Sequence, residues 1–136
     1  MYKKKILLPL MKDNINSSDI RNVINFLKKK PILTQSKKLL EFEKKWSKWL
    51  GVKYSIFVNS GSSANLLSLH AIKIFRNLQK NNEIIVPALT WISDIVSVIN
   101  CNLKPVFVDI NEKNLSMDET DIIKKINKKT KAVFIT

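Results

Sequence analysis

Apolar positions recur at helical spacing in the first part of the chain. Ser17-Ser18-Asp19 reads as a helix start, and Ile20, Val23, Ile24 and Leu27 follow as a stripe. Pro31, within "KKKPILTQS", breaks that helix. A second helix is predicted over 37–50, where Leu40, Phe42, Trp46 and Trp49 stand among charges, with Gly51 as its C-terminal stop. Residues 1–16 read as an extended, loop-like lead-in. After Gly51 the pattern becomes runs of apolar residues broken by turns. Strands are predicted at Tyr54–Val58, Glu83–Val86 (ended by Pro87), Pro105–Asp109 and Lys131–Ile135. Helices are predicted at Ser62–Leu78, apolar nearly all round and hence buried, at Trp91–Asn100, with Ile92, Ile95, Val96 and Ile99 on one side, and from Ser116 to about Asn127.

Strands alternating with helices in this way predict an α/β fold, a mostly parallel, doubly wound sheet covered on both faces behind an N-terminal helical segment. No internal repeat, low-complexity linker or second domain shows. The last predicted strand finishes as the chain reaches Thr136, which is where the loops of a wound α/β site would follow. The expectation is therefore a fragment of a longer protein.

Composition alters this picture little. The net charge of +13 invites a nucleic-acid role. However, the cations are Lys apart from Arg21 and Arg76, and they are scattered among Asn and Ile as in "KKINKKTK" (124–131). Bidentate base readers lean on Arg, so solvated helix faces are expected and no nucleic-acid partner. The single Cys101 permits no internal disulfide and fits a reducing cytoplasm. It reads as a small core residue. The apolar run Ile6 to Leu10 is short, is broken by Pro9 and is followed by no small-residue cleavage site, so it is expected to resemble a signal peptide only superficially. No run is long enough to span a membrane.

Two stretches carry candidate chemistry. In "FVNSGSSANLLSL" (57–69) an apolar strand gives way to small polar residues and then to a helix. A strand-to-helix turn presents free N–H groups and the positive end of the helix dipole, which suits an anion. Gly61 permits close approach, and Ser62 and Ser63 add hydroxyl donors. The alternative is that Ser60 or Ser62 merely caps the helix. The run is neither a P-loop nor a dinucleotide fingerprint, and it lacks the Gly-x-Ser-x-Gly elbow of a nucleophilic serine. His70 reads as an ordinary helix residue. In "VPALTWISD" (86–94) a loop after a strand presents Thr90 and Trp91 on the same sheet edge. Trp91 either stacks on a flat heteroaromatic ring or packs in the core.

Together, "EFEKKWSKWLGVKYSIFVNSGSSANLLSL", "NEIIVPALTWISDIVSVINCNLKPVFVDIN" and "TKAVFIT" resemble the DegT/DnrJ/EryC1/StrS sugar aminotransferases, from about Ile32 to Thr136. The family's "SGT-A" stands here as Ser60-Gly61-Ser62-Ser63-Ala64, which keeps the hydroxyl. The resemblance implies the aspartate-aminotransferase fold with pyridoxal 5'-phosphate (PLP) as cofactor. Gly61, Ser62 and Ser63 would bind its phosphate, and Trp91 would stack on its pyridine ring. Residues 1–50 would be a helical, substrate-entrance segment, and residues 51–136 the first part of the PLP-binding large domain.

The family's Schiff-base lysine and pyridine-nitrogen aspartate would lie beyond Thr136, so no catalytic residue is expected here and the fragment alone would be inactive. Asp109 is expected to be structural or substrate-side. Thr34-Gln35-Ser36 matches a family segment usually written Thr-x-Gly-Pro, but the Gly and Pro are missing and no role carries over. The implied activity is amino transfer from an amino acid, glutamate, to a keto-sugar nucleotide, by a cytoplasmic homodimer. Two alternatives stay open. One is the family's 3-dehydratase branch, with His in place of the lysine. The other is a truncated non-catalytic protein.

Overall fold

The computed structural model describes residues 11–136. Residues 11–16 carry no regular structure, as expected; the rest of the predicted lead-in and its leader-like run lie outside the described residues. The chain divides into two compact units, one ending at Ile56 and the other Phe57–Thr136. The sequence shows no second domain because no Gly-, Pro- or Ser-rich linker marks the division.

In the first unit, helix α1 spans Ser17–Lys28 and helix α2 spans Lys37–Leu50. The cap of α1 is Asn16. Its side chain accepts from the N–H groups of Ser18 and Asp19 at 2.8 and 3.2 Å. Asp19 returns the favour by accepting from the Asn16 N–H at 2.9 Å, which completes a capping box. Helix α2 stops at Gly51, whose φ of 77° lies in the left-handed region that a side chain disfavours. Phe42, Trp46 and Trp49 stack along one side of α2, with centroids 5.9 and 4.9 Å apart. The Ser47 hydroxyl donates to Ser55 at 2.9 Å and ties down the outgoing chain.

In the second unit, helix α3 (Gly61–Phe75) precedes strand β1 (Glu83–Pro87), helix α4 (Ile92–Asn100), strand β2 (Lys104–Val108), helix α5 (Glu119–Lys125) and strand β3 (Thr130–Val133). The strands form one parallel sheet in the order β2-β1-β3. Glu83 pairs with Lys104 on one side and Thr130 on the other. Ile84 and Val86 point into a core with Leu69, Leu78, Val98, Cys101 and Leu103. Ile85 points to the opposite face and is equally buried, so the central strand is covered on both sides, as parallel strands require. The expected α/β class with a parallel sheet is what the structure shows.

Four details differ from expectation. Tyr54–Val58 forms no strand in the described structure, and Tyr54 and Ile56 are exposed. An apolar run becomes a strand only where a neighbour offers its backbone. Helix α3 is not buried all round: Leu69 is its one buried residue, and Ile74 and Phe75 are exposed. Helix α4 buries the face opposite the expected one. Asp94, Ser97 and Val98 are inside, whereas Ile92, Val96 and Ile99 are exposed and Ile95 is half-buried. Ser97 can sit inside because its hydroxyl donates to the Ser93 carbonyl one turn back, at 2.6 Å. Finally, α5 starts later than Ser116. Asp118 is its cap, accepting from the Asp121 N–H at 2.9 Å, while Met117 is held in a bridge to Ile110.

Candidate functional site

The two sequence stretches meet at one edge of the sheet. Parallel strands put every strand C-terminus on the same edge, so the loop after β1 and the end of β3 are neighbours there. The Thr90 and Thr136 hydroxyls lie 3.1 Å apart. The start of α3 comes to the same place, because the Asn65 amide donates to the Asp94 carboxylate in the first turn of α4 at 2.6 Å.

At α3 the cap is Ser60, not Ser62. Its hydroxyl oxygen accepts from the Ser63 N–H at 3.2 Å and lies 3.2 Å from the Ser63 hydroxyl, to which it donates. The Ser60 carbonyl takes the Ala64 N–H at 3.1 Å. A helix leaves its first N–H groups without intrahelical partners. Here these belong to Gly61 and Ser62, both exposed, beside a half-buried Ser63.

Gly61 stands where the described residues neither crowd a side chain nor force a left-handed backbone. Its φ is not in the left-handed region, and a Cβ built on it would meet nothing within 4 Å. What a missing side chain leaves here is room for something outside this chain to approach the N–H groups. A phosphate at the positive end of α3 fits that room and those donors.

Trp91 is the N-cap residue of α4 and makes no side-chain cap bond. At 81% exposure it is not a core residue. Its broad face is available at the same edge as the α3 turn, which fits a flat ring as partner. Three residues further along, Asp94 centres a polar cluster that no sequence motif marks. Asp94 is 2% exposed and accepts from Asn65, from the Thr90 hydroxyl and, at 3.4 Å, from Ser93. Its signal in the sequence is a lone acid in the first turn of a helix that carries no other charge.

Asp109, His70 and Cys101 take no part in these hydrogen bonds. Asp109 folds its carboxylate onto the Ile110 N–H at 2.8 Å, and its own N–H donates to Asp121 at 3.1 Å, so it shapes the turn after β2. His70 is exposed on α3. Cys101 is fully buried, and burial pushes its thiol above the ordinary range, which makes it a poor nucleophile. Ser36 caps α2 without a side-chain bond, and Thr34 and Gln35 precede it in a bend.

The model of the DegT/DnrJ/EryC1/StrS aminotransferase family matches residues 13–136. GDP-4-keto-6-deoxy-D-mannose 3-dehydratase of Yersinia pseudotuberculosis is 31% identical over 135 residues, covering 98% of this chain and 34% of that protein. GDP-perosamine synthase of Vibrio cholerae is 27% identical over 127 residues, covering 93% of this chain and 34% of that protein. Among solved structures, the Escherichia coli GDP-4-keto-6-deoxy-D-mannose-3-dehydratase with bound hydrated PLP superposes with a TM-score of 0.82 at 30% identity, over 92% of this chain and 32% of that one. The chain thus spans about a third of the length of the relatives it matches. On the match over residues 13–136, the chain belongs to the DegT/DnrJ/EryC1/StrS aminotransferase family.

Proposed function

We propose that this chain provides the phosphate cup and ring platform of a PLP-dependent enzyme that moves an amino group from an amino acid, glutamate, to a keto-sugar nucleotide. The observation that carries this is Gly61, a helix-start glycine that neither packing nor backbone conformation requires. Gly61 and Ser62 would bind the cofactor phosphate through their N–H groups, and Ser62 and Ser63 through their hydroxyls. Trp91 would lie against the pyridine ring and hold it in one plane. When bound, PLP supplies the electron sink that amino transfer needs. The residues named here would bind and orient the cofactor. Residues 1–50 would shape the substrate entrance, and 51–136 would begin the cofactor domain. The proposed enzyme is a homodimer of the cytoplasm. The exposed Phe42–Trp46–Trp49 ladder is of the kind interfaces enrich, and the lone buried cysteine suits a reducing compartment.

The 31% identity to a 3-dehydratase favours a second reaction on the same scaffold, removal of the sugar's 3-hydroxyl. Product analysis separates them. The full-length protein is incubated with PLP, glutamate and GDP-4-keto-6-deoxymannose. An amino sugar formed with stoichiometric 2-oxoglutarate supports the transferase. A 3-deoxy sugar supports the dehydratase. A protein that shows no cofactor absorbance would refute both.

A further inference from the structure

We propose that Asp94 is a positioning residue that fixes the Trp91 platform relative to the phosphate cup, an inference that rests on the cofactor role of Trp91 given above. Trp91 has almost no packing of its own, with its side chain 81% exposed. Its place is therefore set by its backbone, and Asp94 holds that backbone on both sides. The Asp94 carboxylate accepts from the hydroxyl of Thr90, the residue before Trp91, and the Asp94 N–H donates to the Trp91 carbonyl at 3.0 Å. The other carboxylate oxygen accepts from Asn65 at 2.6 Å, on the turn of α3 that follows the cup. Thr90 in turn reaches Thr136 at the end of β3. One side chain thus links cup, platform and sheet edge.

Stability alone does not call for this arrangement. The carboxylate is 2% exposed, and its side-chain partners are an amide and two hydroxyls, with no cation among them. Burying a charge on neutral donors is costly, and an apolar side chain of similar size is often as stable or better. What an apolar side chain would not supply is a tether with two fixed directions. Asp94 has no free face toward a ligand, so its action is through Trp91.

Two substitutions separate tether from charge. Asp94→Ala removes the carboxylate links to Thr90 and Asn65 and leaves the main-chain bond to the Trp91 carbonyl. Asp94→Asn keeps them: its oxygen still accepts from Asn65, and its amide donates to Thr90, whose hydroxyl turns to Thr136. PLP affinity of the full-length protein is measured by cofactor absorbance in the Trp91 and Trp91→Ala backgrounds. Asp94→Ala is expected to weaken binding about tenfold when Trp91 is present and less than about twofold when it is absent, because the misplaced group is then already gone. Asp94→Asn is expected to stay within about twofold of the unsubstituted protein, and to keep the induced circular dichroism of the bound cofactor, which Asp94→Ala reduces. If Asp94→Ala does not fold, Thr90→Val cuts the tether beside Trp91 without changing shape and takes its place in the cycle. An equal loss in both backgrounds would mean a merely structural role and overturn the inference, as would an Asp94→Asn protein as weak as Asp94→Ala. Should Trp91→Ala weaken PLP while Asp94→Ala does not, the inference alone fails. Should the unsubstituted protein take up no PLP, the proposed function fails and the inference with it.

Discussion

Gly61→Ala should move stability and ligand affinity in opposite directions. The substitution adds one methyl group at the first residue of α3. That methyl meets nothing within 4 Å, and the backbone there is one that alanine adopts without strain. The unfolded chain, by contrast, loses freedom when glycine is replaced. The cofactor-free protein should therefore gain about 0.4–1 kcal/mol. The methyl also occupies the space through which an anion would reach the exposed N–H groups. Lengthening one charge-assisted hydrogen bond out of range costs about 1.5–3 kcal/mol, or roughly ten- to a hundredfold in affinity. Thermal unfolding without cofactor reads the first effect, and PLP titration reads the second. A Gly61→Ala protein that melts lower would show that the fold itself needs the glycine. One that binds PLP as tightly as before would show that nothing approaches there. Either result refutes the chain of reasoning from Gly61 to the cup.

Three further outcomes are expected. Trp91→Ala should weaken PLP retention, and Ser62→Ala with Ser63→Ala should weaken it further; unchanged cofactor absorbance and affinity in both would remove these residues from the site. Leu69→Ala should cost about 2–5 kcal/mol, read as a lower denaturant midpoint, because Leu69 is 1% exposed at the centre of the core. Glu83 is held below the ordinary carboxylate range, first by the Asn127 amide at 2.7 Å and then by Lys104 at 3.2 Å. With a depressed folded pKa, its stabilisation is present above the unfolded carboxylate range and fades as pH falls through the folded value. Asn127→Ala should therefore flatten the acid limb of the stability curve, and an unchanged limb would show that Asn127 does not carry the shift.

Local chemistry made most of the fold legible. The end of α2 at Gly51 needs only a left-handed residue, and β1 announces itself as an unbroken apolar run closed by Pro87. Elements that depend on distant partners were less so. Tyr54–Val58 has the composition of a strand, but pairing is not a local property. Helix α4 is ambiguous in a different way, since it offers two opposite faces. Periodicity favours the side with Ile92, Val96 and Ile99, yet the structure buries Asp94, Ser97 and Val98 because hydrogen bonds satisfy the polar two. The same cause hid part of the candidate site. Gly61, Ser62, Ser63 and Trp91 stand out by residue type next to a turn. Asp94 and Asn65 acquire meaning only through a bond between residues 29 positions apart.

The strand order β2-β1-β3 also sets a timetable for assembly. The strand made first ends up in the middle, with an open edge on each side. The closure that pairs Glu83 with Lys104 spans less than half the chain of the one that pairs it with Thr130. Shorter loops close at lower entropic cost, and during synthesis the N-terminal partners emerge first. Helix α4 is the link within that shorter closure, which therefore also brings Asp94 to Asn65 of α3. Before the second edge is filled, the bare side of β1 is a template for any stray strand, and docking of β3 ends the exposure.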